Sequence, residues 1–353
     1  MRRRSFALDL ASPLATARGT IRRREGDLVR LDANGVGGIG EATPLPGWTE
    51  SLADCRAALD EVATHDDATL LGGPVTDPLA GAPASVSDAL TDAPAARHAV
   101  ECAALDARGR REGEPVASLL GDAADAVPVN ATVGDGPVEE TVAAAEDAVL
   151  AGFDCLKVKV GAGTLDRDVA RLRAVRDTVG DVSLRADANG AWDCETALDA
   201  VDAFAPLGLD YLEQPLPASN LAGHATLRDR GVSIAIDESL ATHRAREVLD
   251  ADAADVLVLK PMALGGPARA HAVAREARAA GVDAVVTTTV DAAPARTAAV
   301  HVAAAIPDVR PCGLATASAL ASDVCPDPVP VADGCISLPD GPGLAGDAFD
   351  TLV

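Results

Sequence analysis

From about residue 128 onward the chain repeats one pattern eight times: a short apolar run, then an Ala-rich amphipathic stretch. The runs fall at residues 129–133, 155–160, 183–189, 211–216, 233–239, 256–262, 284–290 and, more weakly, 311–316. Helical patterns lie between them at 138–150, 166–178, 196–204, 244–249, 268–280 and 292–305, several followed by a glycine suited to ending a helix. Such alternation predicts a parallel sheet with right-handed crossovers. Eight units of about 30 residues each predict an α/β chain built on a TIM-like (β/α)8 barrel.

Residues 1–127 do not follow this rhythm. Strand patterns at 6–10, 20–24 and 28–32 and helical patterns at 52–63 and 94–110 predict a separate α+β domain, leaving the barrel to 128–324. The tail, 325–353, has one strand signal at 334–338 and a Pro/Gly-rich turn run. It is too short to fold alone and is expected to pack back on the N-terminal domain. Gly35-Val36-Gly37-Gly38-Ile39-Gly40 fits a dinucleotide-binding spacing, but such a fingerprint must open a helix. Pro44 and Pro46 follow instead, so a hairpin with a mobile loop is the expectation.

Charge narrows the function. Lys+Arg 30 against Asp+Glu 54 gives a formal net charge of -24, which repels phosphate backbones and anionic lipid. No nucleic-acid or membrane partner is expected. The acidic excess suits a protein hydrated in strong salt, and GC-rich coding gives much the same bias. Seven scattered cysteines without a Cys-x-x-Cys predict neither disulfide framework nor zinc ribbon, and read as buried thiols in a reducing cytoplasm. Asp9 and Arg18 interrupt the apolar stretch behind the basic start, so no signal peptide is expected.

Only three lysines occur, Lys157, Lys159 and Lys260; the other 27 basic residues are arginine. Lysine is the basic side chain that burial can make titratable near neutrality. All three fall at predicted strand ends, where barrel enzymes carry their chemistry. The second strand ends with Lys157 and Lys159 on one face, the third with Arg185, Asp187 and Asn189, the fourth with Glu213, the fifth with Asp237 and Glu238, and the sixth with Lys260. From Lys159 through Asp187, Glu213 and Asp237 to Lys260 the steps are 28, 26, 24 and 23 residues, one strand–helix unit each.

Three carboxylates on adjacent strands repel one another unless a cation is shared, and oxygen-only donors favour Mg2+ or Mn2+ over zinc. Lysines flanking such a cation suit removal of a proton beside a carboxylate, with Lys159 as base and its pKa lowered by Lys157. Lys260 faces from across the mouth, as an acid or a fixed cation. The substrate is then a small-molecule carboxylate; homo-oligomerisation stays open.

These residues resemble the enolase superfamily, muconate-lactonizing subgroup. The matching motifs are Lys157-Val158-Lys159, Asp187-Ala188-Asn189, Glu213-Gln214-Pro215, Asp237-Glu238-Ser239 and Lys260-Pro261 with Gly265-Gly266, together with Gly40-Glu41-Ala42 and Pro44-Leu45-Pro46-Gly47. The resemblance implies that Asp187, Glu213 and Asp237 bind Mg2+, that Lys159 is the base, and that the N-terminal domain caps the barrel. Val129-Asn130-Ala131-Thr132 and Gly313-Leu314-Ala315-Thr316 resemble the o-succinylbenzoate synthase branch of menaquinone biosynthesis, a dehydratase. There the Thr287-Thr288-Thr289 run is expected to hold the substrate's succinyl carboxylate, with Thr288, Thr289 and Gly313 as substrate-binding or supporting residues and Lys260 as the cation over the enediolate. Asp291, where this branch carries Glu, and Pro294 depart from its pattern. N-acylamino acid racemisation and muconate cycloisomerisation are the alternatives, while an Asp-x-Asp on the eighth strand, which dipeptide epimerases use, is missing. A non-catalytic barrel would be expected to have lost a ligand or a lysine.

Overall fold

The computed structural model describes residues 1–16, 19–33 and 35–353; Arg18 lies outside them. Strands Arg2–Thr16, Gly19–Ala33 and Val36–Ala42 form an antiparallel sheet in chain order, backed by helices Leu52–Val62 and Pro94–Glu112. Residues 20–24 and 28–32, expected as two strands, are one. Gly26 between them is not a turn: a side chain there would run into the Ala42 carbonyl oxygen and the Phe6 ring, so glycine admits the neighbouring strands.

The glycine-rich run lies in the expected hairpin, since Gly19–Ala33 pairs antiparallel with Val36–Ala42, but from Val36 on it is a strand and not a phosphate loop or a mobile loop. Methyl groups on Gly38 and Gly40 would overlap the carbonyl oxygens of Ala103 and Ala99 in helix Pro94–Glu112, which crosses directly over them. The small residues serve close strand–helix approach.

The C-terminal part is the barrel that the alternation predicts. Seven parallel strands lie in order: Ala131–Val133, Cys155–Lys159, Ser183–Asp187, Tyr211–Glu213, Ile234–Ile236, Val256–Leu259 and Asp283–Val286. The eighth stave is reduced to Cys312 and Gly313, which bridge Val129 on one side and Thr287 on the other. Cys312 N–H donates to the Pro128 carbonyl at 2.8 Å, and Gly313 N–H to that of Val286 at 2.8 Å. Two residues thus close the ring. Outward-facing Leu156, Val158, Leu184, Ala186, Leu212, Ile234 and Leu257 pack under the helices, leaving alternate positions to the interior.

Most strands end sooner than the apolar runs. Asn189, Gln214 and Val290 follow their strands with φ of 47°, 41° and 61°, turning the chain abruptly at the mouth. Helix Leu221–Leu227, absent from the sequence reading, follows the fourth stave. The tail's Cys335–Ser337 pairs with Ala126–Pro128, and its Leu344, Phe349 and Leu352 pack with Leu28, Ile39 and Leu105 of the N-terminal sheet and helix.

Two buried carboxylates dock the N-terminal part on the barrel. Glu41 accepts from the N–H groups of Ala292 and Ala295, both at 2.9 Å, at the start of helix Ala293–Ala304. Glu101 accepts from Ala268 N–H at 2.8 Å, at the start of helix Pro267–Ala279. Each sets a carboxyl oxygen against the N–H groups of a helix start, which have no partner within the helix. Among the described residues no helix is long and apolar enough to cross a membrane, and all seven cysteines are free.

Gly40→Val forces a branched side chain against the helix backbone. It should lower unfolding free energy by about 1–3 kcal/mol, read as an earlier midpoint in urea.

Candidate active site

Parallel register sets the acids side by side. Lys159 pairs with Asp187 across the second and third staves, and Asp187 with Glu213 across the third and fourth. Glu213 pairs with Ala235, so Asp237 stands two residues farther toward the mouth. Asp187, Glu213 and Asp237 are all buried.

Three ammonium groups meet these charges. Lys157 Nζ donates to Glu213 Oε1 and Oε2 at 2.9 and 3.1 Å and lies 3.3 Å from Asp187 Oδ2. Lys159 Nζ donates to Asp187 Oδ2 at 2.6 Å and to Asn189 Oδ1 at 2.8 Å, and Asn189 Nδ2 donates to Glu238 Oε1 at 2.8 Å. Lys260 Nζ donates to Asp237. Lys159 is the most accessible of the three, its side chain 33% exposed against 12% for Lys157 and 10% for Lys260.

Burial pushes Glu213 up to about 7, reinforced by Asp187 and Asp237 and opposed by Lys157. Asp237 is pushed up to about 6, again by burial first, with Lys260 pulling the other way. For Asp187 burial also raises the pKa, but Lys159 and Lys157 outweigh it and hold the carboxyl below the usual range. Lys157 is raised well above the ordinary lysine value, since attraction to Glu213 and Asp187 exceeds its desolvation.

The donor set fits a hard dication: three buried carboxylates, with neither thiolate nor imidazole beside them. Buried Glu238 Oε2, adjacent in sequence to Asp237, has no hydrogen-bond partner. In this conformation no three His, Cys, Asp or Glu among the described residues are gathered closely enough to hold an ion. Asp187 and Glu213 already share one cation, the Lys157 ammonium, whereas Asp237 turns toward Lys260. Ligation by all three requires Asp237 to exchange that partner.

The remaining sequence candidates are dispersed. Arg185 is not at the mouth but one step deeper inside the barrel, donating to Asp210 Oδ2 at 2.9 Å and the Pro311 carbonyl at 2.6 Å, with its guanidinium 4.5 Å from the Tyr211 ring centroid. Thr288 Oγ1 lies 3.0 Å from Thr316 Oγ1, and the Thr289 hydroxyl donates to Asp291. Both threonines are buried, with their hydroxyls already partnered. Gly313 closes the barrel, its carbonyl accepting from Thr287 Oγ1 at 2.8 Å.

Other residues enter only with the structure. Gln214 Oε1 accepts from the N–H groups of Asp237 and Ser239 at 3.0 and 3.2 Å, fixing the loop that presents Asp237. Its place inside Glu213-Gln214-Pro215 was the available signal. Trp48 and Arg24 reach the mouth from the N-terminal part; the Pro44-Leu45-Pro46-Gly47 motif stands directly before Trp48, and no local pattern pointed to Arg24.

Comparison with known proteins agrees with this architecture. Residues 140–348 match the family described as Enolase C-terminal domain-like, and residues 2–121 match Mandelate racemase / muconate lactonizing enzyme, N-terminal domain. The chain belongs to the enolase superfamily and is an enzyme of that superfamily. It is 33% identical over 349 residues to the L-Ala-D/L-Glu epimerase of Bacillus subtilis (strain 168), covering 96% of this chain and 93% of the relative. It is 42% identical over 214 residues to the o-succinylbenzoate synthase of Thermobifida fusca (strain YX), covering 58% of this chain and 64% of the relative. A dipeptide epimerase from Methylococcus capsulatus, solved with Mg and the dipeptide L-Arg-D-Lys, matches with a TM-score of 0.83 at 31% identity, over 98% of each chain.

The raised carboxyls carry a pH signature. Glu213 moves from 4.5 to about 7, so its protonated form is favoured by folding below 4.5 and that contribution is lost as pH rises through about 7. In chelator-treated protein, Glu213→Gln should therefore gain stability relative to the parent between about pH 5 and about pH 8, measured by urea midpoints at each pH.

Proposed function

We propose that this enzyme is a Mg2+-dependent dehydratase, an o-succinylbenzoate synthase, which removes a proton beside a carboxylate and expels hydroxide from the neighbouring carbon. One observation carries the chemistry: Lys159 and Lys260 stand on the second and sixth of eight staves, half a turn apart, with buried acids from the third, fourth and fifth staves between them. Asp187, Glu213 and Asp237 would hold the dication. Bound there, it supplies Lewis-acid neutralisation of the substrate carboxylate as negative charge builds on its oxygens.

Lys159, the most accessible lysine, takes the α-proton; the C–H electron pair passes into the carboxylate as an enediolate. Lys157 is fixed between Glu213 and Asp187 and keeps positive charge beside the base. Lys260 adds a fixed cation on the opposite face. The enediolate electrons return to form the ring double bond as the C–O bond breaks. The hydroxyl leaves as water with the proton that Lys159 carries, which restores the neutral amine. Aromatisation of the ring drives the step.

For the substrate, support comes from the 42% identity to the Thermobifida fusca synthase and from the eighth stave. Cys312-Gly313-Leu314-Ala315-Thr316 offers no carboxylate to a substrate ammonium, which weighs against a dipeptide. The succinyl carboxylate is assigned to the Thr288, Thr316 and Gly313 side of the mouth, with a hydroxyl exchanging its present partner for the substrate. N-acylamino acid racemisation is a second reading, favoured by lysines on both faces.

Purified protein with Mg2+ should form o-succinylbenzoate from its cyclohexadiene precursor, followed by loss of the diene absorbance. Lys159→Ala should lower kcat by roughly 10²–10⁴-fold. Unchanged turnover in that variant would remove Lys159 from the role of base. Rapid α-deuterium exchange into N-succinyl amino acids, without dehydration, would favour the racemase.

A further inference from the structure

Lys260 is held from two sides. Its ammonium donates to Asp237, and it also lies 3.7 Å from the centroid of the Trp48 ring. Only 9% of Lys260 is exposed, so the contact forms largely away from water, where attraction between a cation and an aromatic face is strongest. Trp48 belongs to the N-terminal part, 212 residues before Lys260 in the chain.

The segment carrying Trp48 is fastened along its length. Buried Arg24 donates to the Thr43 and Pro44 carbonyls at 2.7 and 3.2 Å. Trp48 and Thr49 N–H groups both donate to the Leu45 carbonyl at 2.9 Å, and Leu45 N–H donates to Thr49 Oγ1 at 2.8 Å. Beyond the turn, Glu50 accepts from Ala95 and Ala96 N–H at 3.0 and 2.9 Å. Arg24 also donates to the Val290 carbonyl at 3.2 Å, joining this segment to the loop after the seventh stave.

We propose that Trp48 is a positioning residue, whose ring face fixes the Lys260 ammonium over the reacting centre. The barrel therefore carries its acids and its base, while the N-terminal part completes the orientation of the opposing cation. An aliphatic side chain of similar reach fills the space without attracting the ammonium. Phenylalanine keeps an aromatic face. This role rests on the proposed part of Lys260 as cation, deepening that reading.

Two measurements test it. For dehydration, Trp48→Leu should lower kcat roughly tenfold with little change in KM, and Trp48→Phe should recover most of the loss. A rise in KM with kcat intact, or equal losses in both variants, would overturn the role. The second measurement needs no turnover, so its outcome is separate from the identity of the reaction. The chain has two tryptophans, and Trp192→Phe leaves Trp48 as the only indole. In that background Lys260→Met should shift Trp48 emission, and the same difference should appear when both tryptophans are present. Coincident spectra would show that ring and ammonium do not interact, and the proposal would fall.

Discussion

Repulsion among buried carboxylates governs the mouth of this barrel. Asp187, Glu213 and Asp237 stand on neighbouring staves, which in a parallel sheet run only about 4.8 Å apart. Burial alone drives such groups toward their neutral forms, and each further acid adds to that push. The chain places all three of its lysines here and uses arginine everywhere else. A compact ammonium can sit between two carboxylates, as Lys157 does; a planar guanidinium would need a wider gap and could not give up its proton near neutrality. One scarce residue type thus balances the acids and supplies the candidate base.

Backbone strain sits at the same edge. Asn189, Gln214 and Val290 adopt left-handed conformations within four residues of the ends of their staves, and for β-branched valine this is costly. Local hydrogen bonds hold these turns. Asn189 N–H donates to Asp187 Oδ1 at 3.0 Å, Gln214 braces the next loop, and Val290 N–H lies 3.2 Å from Thr288 Oγ1.

This explains which parts of the fold were legible in the sequence. Alternation of apolar runs and helical patterns identified the barrel, because every unit repeats the same local physics. Spacing of one residue set per unit brought the lysines and acids together, because register in a parallel sheet follows from unit length. Strand ends were less visible: an apolar run continues through residues such as Leu216 that are buried without belonging to the ladder. The glycines misled, since the need for Gly26, Gly38 and Gly40 comes from neighbouring strands and a helix distant in sequence. Arg185 misled in another way; an inward position on a stave says nothing of depth, and its partner Asp210 draws it away from the mouth. Trp48 meets Lys260, and Arg24 meets Val290, only across the contact between the two parts of the chain.

That contact is also where buried charge is least economical. Burial and Asp291 push Glu41 up to about 8, and burial pushes Glu101 up to about 7, despite the N–H groups each carboxyl accepts from. An apolar pair could cover the same area at lower cost. It could also slide. A carboxyl seated on the N–H groups of one helix start accepts hydrogen bonds only within a few tenths of an ångström of its place. Glu101 seats on helix Pro267–Ala279, the second after Lys260, and Glu41 on the helix that follows Thr288 and Thr289. Register between the two parts is therefore defined at the staves whose loops form the far side of the mouth. Arg24 extends the same constraint to the segment bearing Trp48, linking it to Val290 through one buried guanidinium. A cap docked by apolar contact alone would leave the distance between that ring and Lys260 to vary. With these polar seats, it is fixed by the same interactions that join the two halves of the molecule.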